Sequence, residues 1–450
     1  IPLTGKWYFE CSCSGTSAVI DWVFGLTGMS AATPTNHSNP GVNLYVSDTI
    51  YWLLNAATQF TQAGSIGSSF IAQIAYDSSS GKLWFGANNT YYTSAGAGTG
   101  NPSAGTNQFA TLSTTTEFRA YTGGNTGTTT SRINFGQQPF TYTAPTGFVA
   151  LNTYNLPTST IVKGNTVMDA TLWAGNSSTQ SIVNAAPFKP DFVWIKNRTS
   201  GNNHALFDSV RGATLRLYSD STIAEQTEAT TLTAFNSNGF SVSSSGAVNA
   251  SANNYVGWQW QAGQGSSSSN TNGSITSTVS VNASAGFSVV TWTGTGANAT
   301  VGHSLGVAPS LMISKSRSGA GAWVIALTYS GFTYSSDYFQ FDTGAKRTDG
   351  ASTVWVTAPT SSVFSIGSSF GSGVTYVNYC WTPIAGFSAF GSYTGNGSAD
   401  GPFVYLGFRP KWVLLKNTGG VASWYALDTA RNTYNVMDNV LVPNTASAEV

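Results

Sequence analysis

One short pattern occurs three times in this chain, and it constrains the fold more than any other feature. It consists of a proline, an apolar run typical of a strand, and a lysine six residues after the proline. The copies are PDFVWIK from Pro190, PSLMISK from Pro309 and PKWVLLK from Pro410. A segment that recurs with its spacing intact indicates a repeated folding unit, so the C-terminal part of the chain should consist of serial copies of one module.

Further positions keep the same phase relative to the three prolines. Fourteen positions after the prolines stand His204, Trp323 and Trp424. Eighteen positions after them stand Asp208, Leu327 and Asp428. Arginine follows both aspartates, at Arg211 and Arg431, whereas the middle copy has Ser330. Two closing segments, YVGWQW (255–260) and YVNYCW (376–381), also correspond. Because chance would not keep several offsets in phase, these positions define repeats.

The repeat predicts modules at 158–265, 285–384 and 385–450, with the Ser-, Gly- and Asn-rich residues 266–284 as a linker between the first two. The third copy ends before its counterpart of the closing segment. We therefore expect either that the natural polypeptide is longer or that another chain completes the third module. The first residue is Ile1 rather than Met, which is typical of a processed product or of a piece of a longer protein.

Residues 1–157 form a separate unit with clear β-patterning. GKWYFECSCSG (5–15) places its aromatic and cysteine side chains at alternate positions, as a strand does. FIAQIAYDSSSGKLWFGANN (70–89) predicts a hairpin, because Gly81 tolerates the positive φ that a tight turn requires.

These segments resemble the SPRY domain, the B30.2-like β-sandwich, over about a third of the chain. The matching residues are GKWYFE (5–10), AYD (75–77), GKLWF (81–85) with Asn88, and NFGQ (134–137) with Pro139 and Phe140. SPRY domains are binding modules that present loops from a bent two-sheet sandwich. The resemblance therefore implies a binding unit without catalytic residues.

Helix signals are scarce, whereas short runs rich in Val, Ile, Thr, Tyr, Phe and Trp recur between Gly, Ser and Asn clusters. This pattern is typical of all-β sandwiches. The best helix candidate, residues 221–235, is rich in β-branched threonine, and we expect at most one or two turns there. The sequence thus predicts an all-β protein: an N-terminal SPRY-like bent β-sandwich followed by tandem repeated β-sandwich modules.

Composition excludes several classes of partner. Charged residues make up 8% of the chain and the net charge is zero, whereas nucleic acids and anionic membranes attract clustered Lys and Arg. No stretch approaches the roughly 18 apolar residues of a membrane helix, so membrane insertion is not expected. Three cysteines are too few for a disulfide framework, and we interpret them as small core residues.

Residues able to carry chemistry are few. The three histidines lack zinc-ligand spacing, and the sequence predicts no metal site, no cofactor and no catalytic residue. His204 and Asp208 could act as a base and its orienting acid, but Trp424 replaces His204 in the third copy, which favours a packing role. The repeated Asp–Arg positions are interpreted as structural ion pairs of a turn. The repeated lysines are interpreted as strand-end residues whose ammonium groups reach solvent.

Four aromatic residues next to small polar residues are candidate binding residues. Tyr91 and Tyr92 follow the predicted hairpin and are the stronger pair, and Tyr51 and Trp52 lie in TIYWLLN. Exposed rings of this kind stack on sugars or pack against a protein partner. The alternative is that they pack within the sandwich.

The phrases PDFVWIKNR (190–198), HALFDSVRGA (204–213) and GFSVVTWTGTGANATVGHSLGVAP (286–309) resemble tandem domains of tailed-bacteriophage virion proteins. The resemblance covers most of 165–450. It implies a structural virion protein, a tail fibre or surface appendage, located in the extracellular particle. Its expected partners are other virion proteins, a host-surface glycan or protein, and further copies of itself, for which a trimer is one arrangement.

Repeated modules suit a fibre because each module is expected to bury its own core, so that length is added without new folding problems. A bacterial surface adhesin or an array of carbohydrate-binding modules is the first alternative. A polysaccharide hydrolase is the second alternative, and it would require a cleft with facing carboxylates.

Overall fold

The structure, a computed structural model, describes the whole chain apart from short segments. The residues outside the description are 2–3, 16–21, 29–41, 47–48, 55–56, 64–68, 94–95, 115–117, 125–128, 153–154, 156–160, 351 and 399–400. Contacts divide the chain into two compact units, Ile1–Pro157 and Thr158–Val450. Within the described residues every regular element is a strand except one 3-10 helix, Gly164–Thr166. The all-β prediction is confirmed, and residues 221–235 form no helix.

Thirteen strands are described in the N-terminal unit. They are β1 Lys6–Gly15, β2 Trp22–Gly28, β3 Val42–Val46, β4 Thr49–Leu54, β5 Ala57–Ala63, β6 Ser69–Asp77, β7 Lys82–Ala87, β8 Thr90–Thr93, β9 Gly96–Ala97, β10 Ala110–Thr111, β11 Phe118–Gly124, β12 Thr129–Asn134 and β13 Val149–Ala150. One sheet has the order β12-β1-β6-β7-β8-β9, with β10 beside β7 and β13 beside β1. The other sheet has the order β11-β2-β3-β4-β5. Leu26 of the second sheet lies in one buried cluster with Phe9 and Phe85 of the first, as in a sandwich.

The predicted hairpin is confirmed as β6 and β7. Gly81 adopts φ +73°, and a Cβ at this position would lie 2.2 Å from the carbonyl oxygen of Leu112. Glycine is therefore required both by the backbone conformation and by the space available. Asp77 Oδ1 accepts the backbone N–H of Ser79 at 3.1 Å and so closes the start of the turn.

Glu10 of β1 is a buried carboxylate that fixes a loop of the N-terminal unit. It accepts hydrogen bonds from the Tyr8 hydroxyl at 2.8 Å and from the backbone N–H groups of Thr141 and Tyr142 at 2.7 and 2.9 Å. A buried carboxylate is tolerated when hydrogen bonds of this kind replace its hydration. The loop after β12 is thereby held against the face of the sheet.

Twenty-one strands are described in the C-terminal unit. They are β14 Met168–Ala174, β15 Gln180–Val183, β16 Phe192–Asn197, β17 Ala205–Asp208, β18 Leu215–Arg216, β19 Gln226–Thr227, β20 Leu232–Asn236, β21 Gly239–Val242, β22 Asn254–Trp260, β23 Ser268–Asn270, β24 Ser277–Asn282, β25 Phe287–Thr293, β26 Ala299–Gly302, β27 Leu311–Ser316, β28 Val324–Leu327, β29 Tyr338–Phe339, β30 Lys346–Arg347, β31 Val363–Ile366, β32 Thr375–Trp381, β33 Trp412–Lys416 and β34 Trp424–Asp428. We refer to residues 158–265, 266–384 and 385–450 as modules 1, 2 and 3.

The three repeated segments fold alike. Each forms an antiparallel hairpin at the same distance from its proline: β16 with β17, β27 with β28, and β33 with β34. The sheet of module 1 has the order β14-β22-β16-β17, and the same order recurs in module 2 as β25-β32-β27-β28. The closing segments are the strands β22 and β32 of these sheets. In module 3 the described sheet consists of β33 and β34 alone.

The prediction of a linker at 266–284 is wrong. Its residues form β23 and β24, and β24 pairs with β25 at the edge of the module 2 sheet. The connection before it is also fixed, because the Asp191 carboxylate accepts the backbone N–H groups of Ala262, Gln264 and Gly265, each at 2.7 Å. The Ser- and Asn-rich composition concealed a short alternation in which Val279 is buried in the core.

Modules 1 and 2 each bury a core of their own, which includes Phe240 and Phe364 respectively, but the expectation that the cores are separate is wrong for a further cluster that all three modules share. One buried cluster contains Trp194 of module 1, Tyr379 of module 2 and Trp424 of module 3. Aromatic rings contact one another across the module boundaries: Phe192 stacks on Tyr379 at 4.1 Å, and Phe341 meets Trp424 at 4.8 Å. The three modules therefore form one body around a shared aromatic core.

Candidate functional site

The aspartates that end the second strand of each hairpin in modules 1 and 3 are closed into tight ionic turns. Asp208 Oδ1 accepts the backbone N–H of Arg211 at 2.8 Å, and its Oδ2 accepts the Arg211 Nε. Asp428 and Arg431 repeat this arrangement, with an Nε–Oδ2 distance of 2.6 Å. All four side chains are fully buried. Such charges are tolerated in the interior because each is paired and hydrogen-bonded.

The same two aspartates bind the closing strand of a neighbouring module. The Tyr379 hydroxyl of module 2 donates to Asp208 Oδ2 at 2.8 Å, and Trp258 Nε1 of module 1 donates to Asp428 Oδ2 at 2.9 Å. Tyr379 and Trp258 occupy the same position of their closing strands. Each Asp–Arg turn is thus the receptor for a strand of another module. Sequence analysis missed both donors, because nothing in a single sequence shows which module a closing strand faces.

The residues fourteen positions after each proline make a second set of contacts between modules. Trp323 Nε1 donates to a carbonyl of module 1 at 2.6 Å, and Trp424 Nε1 donates to a carbonyl of module 2 at 2.9 Å. His204 Nδ1 accepts from Trp194 Nε1 at 2.8 Å, which leaves Nε2 to donate to the Val442 carbonyl of module 3 at 3.2 Å. The three contacts close a ring in which every module contacts both of the others.

His204 is held in the neutral form. Complete burial, reinforced by the nearby Lys196 ammonium, lowers its pKa well below the ordinary histidine value. Asp208, which the sequence suggested as a possible orienting acid, bonds to Arg211 and Tyr379. Both ring nitrogens of His204 are engaged in hydrogen bonds that hold the fold together.

The prediction that the repeated lysines reach solvent is wrong for two of the three. Lys196 and Lys315 are almost completely buried. Lys196 Nζ donates to the Ala446 carbonyl of module 3 at 3.0 Å, and Lys315 Nζ donates to the Thr222 and Ile223 carbonyls of module 1 at 3.1 and 2.9 Å. Burial lowers the pKa of each lysine to about 8. These lysines join neighbouring modules.

The third lysine has no such role. Lys416 Nζ donates to the carbonyls of Asn417 and Gly420 within its own module, at 2.8 and 3.3 Å. Burial lowers its pKa, but the side chain makes its described hydrogen bonds in exposed surroundings. The repeated sequence therefore takes two different environments according to the neighbour that each module meets.

Two carboxylate–arginine pairs accompany the buried lysines. Arg198 of module 1 pairs with Glu449 of module 3 at 2.9 Å, and Arg317 of module 2 pairs with Glu225 of module 1 at 3.0 Å. Both arginines stand eight positions after the module proline, where module 3 has Thr418. The contact of module 3 with module 2 thus lacks an arginine at this position.

The predicted binding aromatics separate into three cases. Tyr92 is 5% exposed and lies in the core of the N-terminal unit, so the prediction that its ring is available to a ligand is wrong. Alternation along β8 places the neighbouring Tyr91 against the opposite face, where burial of its hydroxyl raises its pKa. Tyr51 and Trp52 belong to β4, and their side chains lie outside the described residues.

A cavity of about 270 Å³ lies in module 2. Its lining is small and polar, with Ser314, Ser316 and three glycines, and includes the rings of Phe370 and Tyr376. None of the lining residues is a carboxylate or a histidine. Glycoside hydrolysis requires two facing carboxylates, so this cavity lacks the groups for that reaction.

The described residues contain no cluster of three or more His, Cys, Asp or Glu side chains placed to hold a metal ion. Within the same residues, no helix has the length and apolar character needed to cross a membrane.

A family model matches the C-terminal part of the chain. No curated protein matches the chain. The model of a domain of unknown function, DUF7483, matches residues 163–450, which comprise all three hairpins and the ring of contacts between the modules. The match covers more than half of the chain, and the protein therefore belongs to the DUF7483 family.

Proposed function

We propose that the protein is a non-enzymatic structural and binding protein of a bacteriophage virion, a tail fibre or other surface appendage. It contacts the host surface or neighbouring virion proteins in the extracellular particle. One observation carries the proposal: the buried ionisable groups His204, Asp208, Asp428, Lys196 and Lys315 all hold modules together. Groups that an enzyme would use for chemistry are here engaged in assembling a scaffold.

The composition supports the same function. A particle protein remains exposed to solvent for long periods. A chain in which 8% of the residues are charged and the net charge is zero offers little attraction to nonspecific charged partners. The interlocked ring adds resistance to local opening, because each module is held at two boundaries. Resemblance to tandem domains of tailed-phage virion proteins directs the proposal to this class of particle.

The experiment measures the protein composition of purified particles. Virions from a lysate of the bacterium or phage that carries the gene are purified by density gradient, and their proteins are quantified by mass spectrometry. The proposal predicts a fixed copy number relative to the other particle proteins, and labelling of intact particles by an antibody against residues 158–450. Recovery of the chain in the bacterial envelope fraction, without particles, would instead support the surface adhesin.

A further inference from the structure

The cavity in module 2 lies where side chains fill the corresponding space of module 1. Its lining includes Ser314 of β27, and the register of the sheet places Ser314 opposite Asn378 of β32. The same register in module 1 places Ile195 opposite Gly257. Ile195 is fully buried in the core of module 1. A serine in module 2 thus stands where an isoleucine packs in module 1, and volume missing from a packed core is left as a cavity.

A side-chain hydrogen bond between the two loops at this place in module 1 has no counterpart in module 2. In module 1 the Asn253 Nδ2 group donates to Ser200 Oγ at 3.0 Å. The residues of module 2 at the same positions of the repeat are Val374 and Gly319, whose side chains have no groups for such a bond. Both line the cavity instead. Module 2 therefore lacks both the side chain that fills this space in module 1 and the hydrogen bond that closes it.

Two buried donors beside the cavity lack a hydrogen-bond partner. Asn378 Oδ1 accepts from Ser314 Oγ and from Trp292 Nε1, each at 2.9 Å. Because an indole N–H can only donate, the amide oxygen must face it, and the Asn378 Nδ2 group is left without an acceptor. Trp355 Nε1 is also unpartnered, and its ring centroid lies 5.6 Å from that of the lining residue Phe370. Buried donors are costly to leave unpaired, so these two groups indicate a ligand that supplies acceptors.

The lining of the cavity defines the class of ligand. None of its residues carries a charge, so a charged ligand would lose its hydration without gaining an ionic partner. Its serine hydroxyls can donate and accept, and the rings of Phe370 and Tyr376 offer flat apolar surfaces. Drug-sized ligands occupy cavities of roughly 300–1,000 Å³, so a cavity of about 270 Å³ suits a single ring. A neutral ring that carries hydroxyl groups on its edge meets all of these conditions.

We propose that the module 2 cavity binds one uncharged sugar residue, the end of a glycan chain. The hydroxyl oxygens of the sugar supply the acceptors that Asn378 and Trp355 lack, and its apolar face packs on the aromatic rings of the lining. The lining contains no carboxylate, so the sugar is bound without being cleaved. The inference deepens the proposed function and rests on it in one respect: the glycan belongs to the host surface.

The probes are the methyl glycosides of glucose, galactose, mannose and N-acetylglucosamine, each added separately to the 450-residue chain. Saturation-transfer NMR should detect binding of at least one, with a dissociation constant on the order of 1 mM, as expected for a ligand of so few atoms. The bound sugar should slow hydrogen exchange of the amides of residues 319–322 and 369–374, which lie along the cavity. Binding of none of the four sugars, or binding without this protection, would overturn the proposal.

A charged sugar is the matched control ligand. The uronate that corresponds to the bound sugar keeps the ring and its hydroxyl groups but carries a carboxylate in place of the CH₂OH group. It should bind at least about tenfold more weakly, because the uncharged lining offers no partner for the carboxylate. Equal binding of the neutral and the charged sugar would show that the lining does not select the ligand, and would overturn the proposal.

Two variants of the chain locate the site, and each introduces a feature of module 1. Ser314→Ile fills the cavity, whereas Val374→Asn combined with Gly319→Ser supplies the hydrogen bond between the loops. A Cβ at Gly319 would lie 3.7 Å from Ser316 Oγ, an ordinary contact, so the second variant should fold even if the first does not. Each should weaken sugar binding at least about tenfold, because the space for the ring is occupied or closed.

The control variant is Ser361→Ile, which changes an exposed serine outside the lining and should leave the affinity unchanged. An unchanged melting temperature is the folding check for every variant. Unchanged affinity in both cavity variants would overturn the proposal. The protein composition of the particles is measured separately, so the two proposals can fail independently. Sugar binding by a chain that is absent from particles would support the site and assign it to a surface adhesin.

Discussion

The two contacts that module 1 makes differ from the contact between modules 2 and 3. Across the former lie the Asp–Arg turns with their Tyr379 and Trp258 donors, and the buried Lys196 and Lys315. Across the latter lie the packing of Phe341 on Trp424 and a tryptophan-to-carbonyl hydrogen bond. An Asp–Arg turn is thus found in the modules that receive a donor from a neighbouring closing strand. The turn both closes the backbone after each hairpin and serves as a receptor for that strand.

Removing a receptor carboxylate should have the largest effect. Asp208→Ala leaves the buried Arg211 guanidinium with an incomplete set of partners and the Tyr379 hydroxyl without an acceptor, and should lower the free energy of unfolding by about 3–5 kcal/mol. Guanidinium denaturation followed by tryptophan fluorescence measures the loss. The matched control is Asp349→Ala, whose ion pair with Arg347 is exposed, and which should leave the free energy of unfolding nearly unchanged. Equal losses in the two variants would contradict the receptor role.

Removing the donor alone should cost less. Tyr379→Phe deletes one hydroxyl that donates to a charged acceptor, and we expect a loss of about 1.5–3 kcal/mol in the free energy of unfolding. Tyr434→Phe removes the hydroxyl of an 81% exposed tyrosine and should have no measurable effect. A double-mutant cycle with Asp208→Ala sharpens the test, because the two losses should be strongly non-additive if they report one contact.

The buried lysines at the contacts of module 1 should make the free energy of unfolding depend on pH. The folded-state pKa of Lys196 and of Lys315 is about 8, below the ordinary value of 10.5, so the unfolded chain binds more protons between these limits. The contribution of these two lysines to the free energy of unfolding should therefore rise with pH from about 8, by at most about 1.4 kcal/mol per pH unit for each lysine. Below pH 8 both states are protonated and this contribution to the slope vanishes.

Matched variants isolate the lysine contribution. Denaturation curves between pH 8 and 9.5 should show a smaller slope for Lys196→Met and for Lys315→Met than for the unaltered chain. Lys416→Met, at the same position of module 3, should keep most of the slope, because its ammonium hydrogen-bonds in exposed surroundings. An unchanged slope in both buried-lysine variants would show that other groups govern stability in this range.

Much of this fold could be predicted from the sequence, because the repeat fixes local geometry. The hairpin after each proline and the turn at Gly81 depend on spacing and on single-residue conformational preferences, which a sequence displays directly. The segment at 266–284 was interpreted wrongly although a signal existed. Val279 and Val281 alternate with serine and threonine, but the polar composition around them masked the strand.

The contacts between modules could not be predicted in this way. Lys196 and Lys416 occupy equivalent positions of the repeat, yet one is buried against Ala446 and the other is not. The difference lies in which module supplies the carbonyls, and that depends on the closed arrangement of all three copies. The exposure of Tyr92 was predicted wrongly for a related reason. Its position near a loop suggested an exposed ring, but alternation along β8 directs the side chain into the core.

The smallest effect should come from the partly exposed ion pairs. Arg317 is 23% exposed and pairs with Glu225 across the contact of module 2 with module 1. Arg317→Met should lower the free energy of unfolding by about 0.5–1 kcal/mol, and 0.5 M NaCl should reduce that difference, because salt screens partly exposed charges. Thr418→Met is the matched control at the same repeat position, and it should have no salt-dependent effect. Both substitutions could instead change the free energy of unfolding equally in low and in high salt. The arginine pair would then not distinguish the contacts of module 1 from the contact between modules 2 and 3, and that distinction would depend on the buried Asp–Arg turns alone.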